Sequence, residues 1–287
     1  MKEIIKLLRV HQWIKNFFVF LPLFFSGNVL NLSLLYDSLW AFLLFSLSAS
    51  IVYILNDYRD IDKDRKHPEK RNRPLASGKV SKKSAIVVAI FLSSILLFCS
   101  FSIFSPVQLI PLLAYIVLNC AYSFGLKSVA ILDVGIIAFG FVLRVLFGGV
   151  ATGIVVSKWA FLLTFSLALV LALGKRRGEL LSSGSETRSS LNGYNLSFID
   201  AALICSVTIA IVCYIMYAVS PEIAKSFNFN YVYVTAIFVI LGIFRYLQQT
   251  YVFQRTESPT KLVFKDRFLQ LIILLWIATF ALIIYLR

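Results

Sequence analysis

Charge is scarce in this sequence. Only 15% of its 287 residues are Asp, Glu, Lys or Arg, against roughly 25% in an average soluble domain, which excludes a water-soluble globular class. Cysteine is scarce as well. Cys99, Cys120, Cys205 and Cys213 all fall inside apolar stretches without metal-type spacing, so they read as buried thiols acting as small hydrophobes. No internal repeat of fixed period and no low-complexity segment is present, and residues 1–287 read as one domain. No cleavable signal peptide is expected, because the apolar run after Trp13 lacks a small-residue cleavage site before the next span.

What the chain has in quantity is hydrocarbon. It is 59% hydrophobic with a mean hydropathy of +0.84. Windows of roughly 20 apolar residues, the length that crosses a bilayer, recur throughout. They predict an all-α polytopic membrane protein with nine spans, near 13–30, 36–55, 84–104, 106–124, 130–150, 158–174, 198–219, 230–248 and 267–286. Lys15 and Asn16 sit near the start of the first, and Pro22 interrupts it.

Acids are outnumbered by bases, 14 to 28, for a net charge of +14. With the N-terminus inside, 24 of the 28 Lys and Arg fall on one side of the membrane, ten of them in the 56–83 loop. Lys158, Lys225 and Arg287 fall on the other, and Arg144 lies within a span. This is the positive-inside pattern, which predicts a multi-pass protein of the inner or cell membrane with the basic face in the cytoplasm. Without a recognisable nucleic-acid module, nucleic acid is not an expected partner. Anionic lipid heads and phosphorylated substrates fit better. Residues 2–13 predict an amphipathic helix at the same interface.

One loop departs from this greasy background: NDYRDIDKDRKHPEKRNRPLASG, residues 56–78, with four aspartates followed by a basic run. No helix breaker occurs between Tyr36 and His67-Pro68, where proline pushes its predecessor out of helical geometry. A helix continuing to about Lys66 would place Asn56, Asp60 and Asp64 at i, i+4 and i+8, in one column with Asp57 and Tyr53 alongside. Such crowded carboxylates repel unless a cation sits among them, and oxygen-only ligands on a rigid helix suit Mg²⁺. The alternative is a solvated charge face paired with Arg59, Lys63 and Arg65. The basic run that follows points toward phosphate.

NDYRDIDKD matches the NDxxDxxxD motif of the UbiA-like intramembrane prenyltransferase superfamily, which the whole chain resembles. RVHQWIKN (9–16), DRKHPEKRNRPLASG (64–78), YSFGLKSVAILD (122–133), LRVLFGGVATG (143–153) and GKRRGE (174–179) narrow the resemblance to its decaprenyl-phosphate phosphoribosyltransferase branch. The resemblance implies nine spans around a central cavity open to the cytoplasmic side. It also implies Mg²⁺-dependent transfer of 5-phosphoribose from phosphoribosyl diphosphate (PRPP) to a polyprenyl phosphate, a step of cell-wall biogenesis. Asn56, Asp57, Asp60 and Asp64 would hold the metal, with the three aspartates as the catalytic set. Lys15, Tyr53, Lys70, Arg73, Lys127, Arg144 and Lys175 would bind substrate, with Arg71 a weaker candidate.

The aromatic-prenylating members usually carry a second aspartate-rich motif. YSFGLKSVAILD offers only Asp133, preceded by Lys127, which suits two phosphorylated substrates rather than one prenyl diphosphate. Arg144 follows Asp133 by eleven residues, three helical turns, which predicts both side chains on one face about 16 Å apart. A charge inside a span costs several kcal/mol, so Arg144 is expected either to line a polar cavity or to pair with another span's carbonyls. For Lys127, Lys15, Lys175 and Arg176, interfacial anchoring is the competing role. His67 is expected to serve the turn rather than proton transfer. Two other functions stay open: a prenyltransferase acting on an aromatic or other acceptor, and a transporter or lipid carrier without chemistry. The oligomeric state is open as well, a homo-oligomer included.

Overall fold

Helix α3, Leu32–Arg59, is the longest element and organises the first half of the chain. Its start is fixed by Asn31, whose side-chain oxygen accepts the backbone N–H groups of Ser33 and Leu34, satisfying donors that a helix otherwise leaves unpaired. The computed structural model describes residues 2–68, 70–182, 189–223, 231–254, 262 and 265–285. Lys225 and Arg287, two of the three bases expected on the opposite face, lie outside the described residues.

The remaining helices are α1 (Lys2–Leu8), α2 (Leu21–Phe25), α4 (Ile61–Lys66), α5 (Lys82–Ile103), α6 (Ile110–Phe124), α7 (Leu132–Thr152), α8 (Lys158–Ser182), α9 (Leu196–Ala218), α10 (Ala236–Tyr251) and α11 (Arg267–Tyr285). No strand occurs among the described residues. Seven helical segments are long and apolar enough to cross a bilayer: α3, α5, α7, α8, α9, Val232–Tyr251 and α11. The expected 106–124 span appears as the shorter α6. The chain is an integral, multi-pass helical membrane protein. Large apolar side chains along α5 point outward, among them Val87, Ile90, Phe91 and Phe98, a surface suited to lipid rather than water.

The first expected span differs from the prediction. Val10–Phe20 is a 3₁₀ helix, followed by a single α-helical stretch at α2 with Pro22 in its first turn. Hydropathy reports how apolar a segment is, not how its backbone is wound. This segment is held by side-chain bonds to α3: Trp13 Nε1 donates to Ser50 Oγ at 3.0 Å and Asn16 Nδ2 to Ser46 Oγ at 2.9 Å.

Two compact units are distinguished along the chain. The first comprises Met1–Lys127 and Leu143–Val155, the second Ser128–Val142 and Val156–Arg287. In the first, α3 packs against α1, the 3₁₀ segment, α5 and α6. An apolar cluster of Leu7, Ile54, Ile61, Leu75, Val80, Ala85 and Leu92 closes its lower end, where the charged loop begins. In the second, α8 packs along α9, and α10 against α9 and α11, around Val170, Leu173, Leu203, Val207 and Ile243.

Within the first unit, α7 approaches the 3₁₀ segment so closely that only glycine fits. A Cβ on Gly148 would fall far inside van der Waals contact distance of the Val19 carbonyl oxygen. Because backbone cannot yield as a flexible side chain can, Gly148→Ala is expected to destabilise the protein by about 1–3 kcal/mol. Thermal unfolding in detergent checks this; an unchanged midpoint would show that the two segments separate freely.

Candidate active site

The acidic column forms almost as its spacing predicts. α3 ends at Arg59 and α4 begins at Ile61, so the helix is kinked at Asp60 rather than continuous. The hydrogen-bond ladder survives the kink: Asp60 N–H reaches Asn56 O at 3.0 Å, and Asp64 N–H reaches Asp60 O at 2.7 Å. Asn56, Asp60 and Asp64 therefore keep their i, i+4, i+8 order. The column ends at His67, whose extended backbone precedes Pro68 as that dipeptide requires. His67 Nδ1 accepts the backbone N–H of Lys70 at 3.4 Å, a turn contact that opens the basic run.

Protein cations interleave with the acids. Arg73 Nη1 bonds Asp57 at 3.1 Å and Asp64 at 2.6 Å, so one guanidinium spans two carboxylates. Arg9 also pairs with Asp57, and its guanidinium lies 5.0 Å from the centroid of the Tyr53 ring. Lys127 Nζ donates to both carboxylate oxygens of Asp60 at 2.6 Å and to Asn56 Oδ1 at 3.3 Å. Asp57 and Asp64 are buried, whereas Asp60 and Lys127 remain about one-fifth exposed, at 18% and 20%. Asp62 points outward and, among the described residues, pairs only with exposed Arg65. Among the described residues, no three acids, histidines or cysteines converge as a ready metal cage.

Local structure explains how residues far apart in sequence meet. α6 carries Pro111 in its first turn and ends at Phe124, where Gly125 turns the chain with φ 156°. Arg59 donates to the Ser123 carbonyl at 2.9 Å and stacks on Phe124, 4.1 Å from the ring centroid. That contact ties the end of α6 to the end of α3 and delivers Lys127, on a single 3₁₀ turn Leu126–Ser128, to Asp60. The basic loop folds back on itself: Leu75, Ala76 and Val80 are buried, and Arg65 Nε bonds the Ala76 carbonyl at 3.2 Å.

A second group of cations belongs to the same unit. Arg144 is buried at 5% exposure. Its Nε donates to Asn16 Oδ1 at 2.8 Å, and its guanidinium lies 4.7 Å and 4.9 Å from the ring centroids of Phe45 and Tyr115. These three partners are neutral groups, and they orient the guanidinium. Lys15 feels the like charges of Arg144 and Arg9 as its electrostatic neighbours. Among the described residues no hydrogen-bond or carboxylate partner meets its ammonium. A half-buried cation beside two others is an arrangement that attracts an anion.

Three residues singled out in the sequence lie in the second unit. Asp133, the one carboxylate of the YSFGLKSVAILD segment, is fully buried. It accepts from Arg176 Nε at 2.8 Å, Ser190 Oγ at 3.2 Å and Tyr194 OH at 2.6 Å. Arg176, expected as an interfacial anchor, is the buried partner of that carboxylate. Burial and the bond to Asp133 push the Tyr194 phenol up from its ordinary value, so it stays protonated and serves as a permanent donor. Lys175, expected on substrate, is exposed in this unit and pairs with Glu179 at 3.9 Å. Arg9, Asn16 and Tyr115 are the residues that sequence reasoning missed. Arg9 and Asn16 open and close the RVHQWIKN stretch, which was the available signal; Tyr115 had none.

The comparisons with known proteins follow this geometry. Residues 17–272 match the UbiA prenyltransferase family. The chain is 35% identical to decaprenyl-phosphate phosphoribosyltransferase of Mycolicibacterium smegmatis, covering 98% of this chain and 92% of that protein. It is 33% identical to the protein of that name from Mycobacterium tuberculosis, covering 96% and 92%. The fold resembles that of a UbiA homologue from Archaeoglobus fulgidus solved with DMAPP and Mg²⁺, with a TM-score of 0.69, 18% identity and 99% of each chain covered. A likeness that runs through all but the ends of the chain, on a helical membrane fold of the same kind, places this protein in the UbiA prenyltransferase family.

Proposed function

We propose that this chain transfers 5-phosphoribose from PRPP to a polyprenyl phosphate of decaprenyl type, releasing diphosphate, with its charged loop on the cytoplasmic side. The observation that carries the reading is the interleaving of Asp57, Asp60 and Asp64 with Arg9, Arg73 and Lys127, beside the further cations Lys15 and Arg144. Such a site suits substrates that bring several phosphates. Relatives of nearly full-length similarity bear the name of this activity.

The donor set fits Mg²⁺. Its oxygens are hard, and those of Asn56 and Asp60 already converge on one cation, the Lys127 ammonium. Held by Asn56, Asp60 and the neighbouring Asp57 and Asp64, Mg²⁺ would neutralise the charge that builds on the departing diphosphate. The chain's own bases do the rest. Lys15, Arg144, Lys70 and Arg73 hold the 5-phosphate and the lipid phosphate, and Tyr53 flanks the ribose. A lipid phosphate oxygen attacks ribose C1 as the bond to diphosphate breaks, its electron pair leaving with the diphosphate. The attacking group is already an anion, so no general base is needed. Attack opposite the α-diphosphate gives a β-phosphoribosyl lipid.

Purified protein in membranes with radiolabelled PRPP, polyprenyl phosphate and Mg²⁺ tests this. Label is expected to enter the lipid phase. Its failure to do so, with prenyl transfer from a prenyl diphosphate to an aromatic acceptor instead, would overturn the reading. That second chemistry is carried by a 4-hydroxybenzoate octaprenyltransferase 30% identical over half of this chain.

A further inference from the structure

We propose that Lys127 is an internal counter-ion that competes with the divalent cation for Asn56 and Asp60, and that metal binding releases it to the substrate's phosphates. The proposal rests on the assignment of the metal to the acidic column. An ammonium has three protons to donate, and Lys127 directs its nitrogen to three oxygens, two on Asp60 and one on Asn56. Those are the oxygens the column offers to a metal. They cannot serve both cations at once, because a metal ion bound at about 2.1 Å would face the ammonium within a few ångströms at like charge.

The other cations of the column differ. Arg73 is bridged between two carboxylates, and Arg9 is additionally stacked on Tyr53. Among the described residues, the Lys127 ammonium bonds nothing besides Asn56 and Asp60. It sits at the end of a flexible four-carbon stem on a one-turn element just after Gly125. It is the cation that can leave without disturbing the rest. While it stays, the column is neutralised; once displaced, it needs an anion, and the diphosphate is the anion at hand. By reciprocity, metal and anion must then strengthen each other's binding.

Mn²⁺ titration followed by electron paramagnetic resonance tests the competition on the detergent-purified full chain without substrate. Lys127→Gln is expected to bind Mn²⁺ about ten-fold more tightly than wild type, the scale of one charge-assisted contact. Lys63→Gln removes an equal charge three residues past Asp60, from an exposed side chain without an ion pair among the described residues. It is expected to change affinity less than three-fold. Asp60→Asn is expected to abolish the site. In wild-type protein, acetylation of Lys127 by an amine-reactive reagent, read by mass spectrometry, should rise several-fold on adding Mg²⁺; this arm does not depend on a variant folding. Equal affinity in wild type and Lys127→Gln, with loss in Asp60→Asn, would overturn the competition and leave the metal assignment standing. A similar gain in Lys63→Gln would reduce the effect to general charge and overturn it too. Absence of a saturable site in every protein would remove the metal from the column and the proposal with it.

Discussion

Asp60→Asn abolishes turnover but leaves the protein folded: this is the expected result for the residue at the kink, and Asn56→Ala should behave alike. Asp60 is part-exposed and, among the described residues, its ion partner is Lys127 alone, so losing the pair costs stability on the order of 1 kcal/mol or less. Under the proposed function no amide replaces its charge toward the metal and the leaving diphosphate, and activity is expected to fall by at least about a hundred-fold. Asp57 supplies the contrast. It is buried and paired to two part-exposed arginines, of which Arg73 keeps Asp64, so Asp57→Asn is expected to cost about 1–3 kcal/mol of stability as well as activity. Transfer of label from PRPP, measured beside thermal unfolding in detergent, separates the two patterns. Near-normal turnover of Asp60→Asn or Asn56→Ala at saturating Mg²⁺ would remove that residue from the metal site.

The second large effect concerns the cations. If Lys70, Lys127 and Arg144 only set topology or anchor helices, neutralising them alters insertion or stability and leaves PRPP recognition intact. If they hold phosphate, each loss removes a charge-assisted contact of about 1.5–3 kcal/mol, a ten- to hundred-fold effect on kcat/KM at about 1.4 kcal/mol per decade. Lys70→Gln, Lys127→Gln and Arg144→Gln are each expected to insert correctly and lose at least about ten-fold in kcat/KM for PRPP. Arg144→Lys should recover little. Its ammonium cannot reproduce a planar group held between Phe45 and Tyr115 with one edge on Asn16. Lys225→Gln, on the opposite face by charge distribution, is the control. A loss there equal to that of Lys70→Gln would mean that charge balance, not phosphate contact, governs the loop.

The helices were legible because a bilayer demands about 20 apolar residues in a row, and runs of that length at 36–55, 84–104 and 198–219 became helices with nearly those bounds. The acidic column was legible for an equally simple reason: residues four apart on a helix share a face. Legibility stopped where geometry depends on distant parts of the chain. Nothing near Asp57 announces Arg9, 48 residues away, and nothing near Arg144 announces Asn16, 128 residues away. The setting of Asp133 was hidden in the same way, because the groups that close around it, Arg176, Ser190 and Tyr194, come from later elements. The winding of 10–20 was hidden because a 3₁₀ and an α segment of one composition have the same hydropathy.

The serine at position 46 has a consequence for anyone redesigning this membrane protein. By hydropathy it is a blemish in α3, and any algorithm rewarding greasier spans would replace it with alanine. Yet Ser46 Oγ accepts from Asn16 Nδ2, which leaves Asn16 Oδ1 facing Arg144 Nε. Without that hydroxyl the buried Asn16 amide loses the acceptor of its NH₂ group, a loss of about 1–3 kcal/mol borne by the side chain that holds Arg144 Nε. The seating of a buried cation thus depends on a two-atom side chain on another helix, and a change scored as an improvement for the membrane would be felt at Arg144.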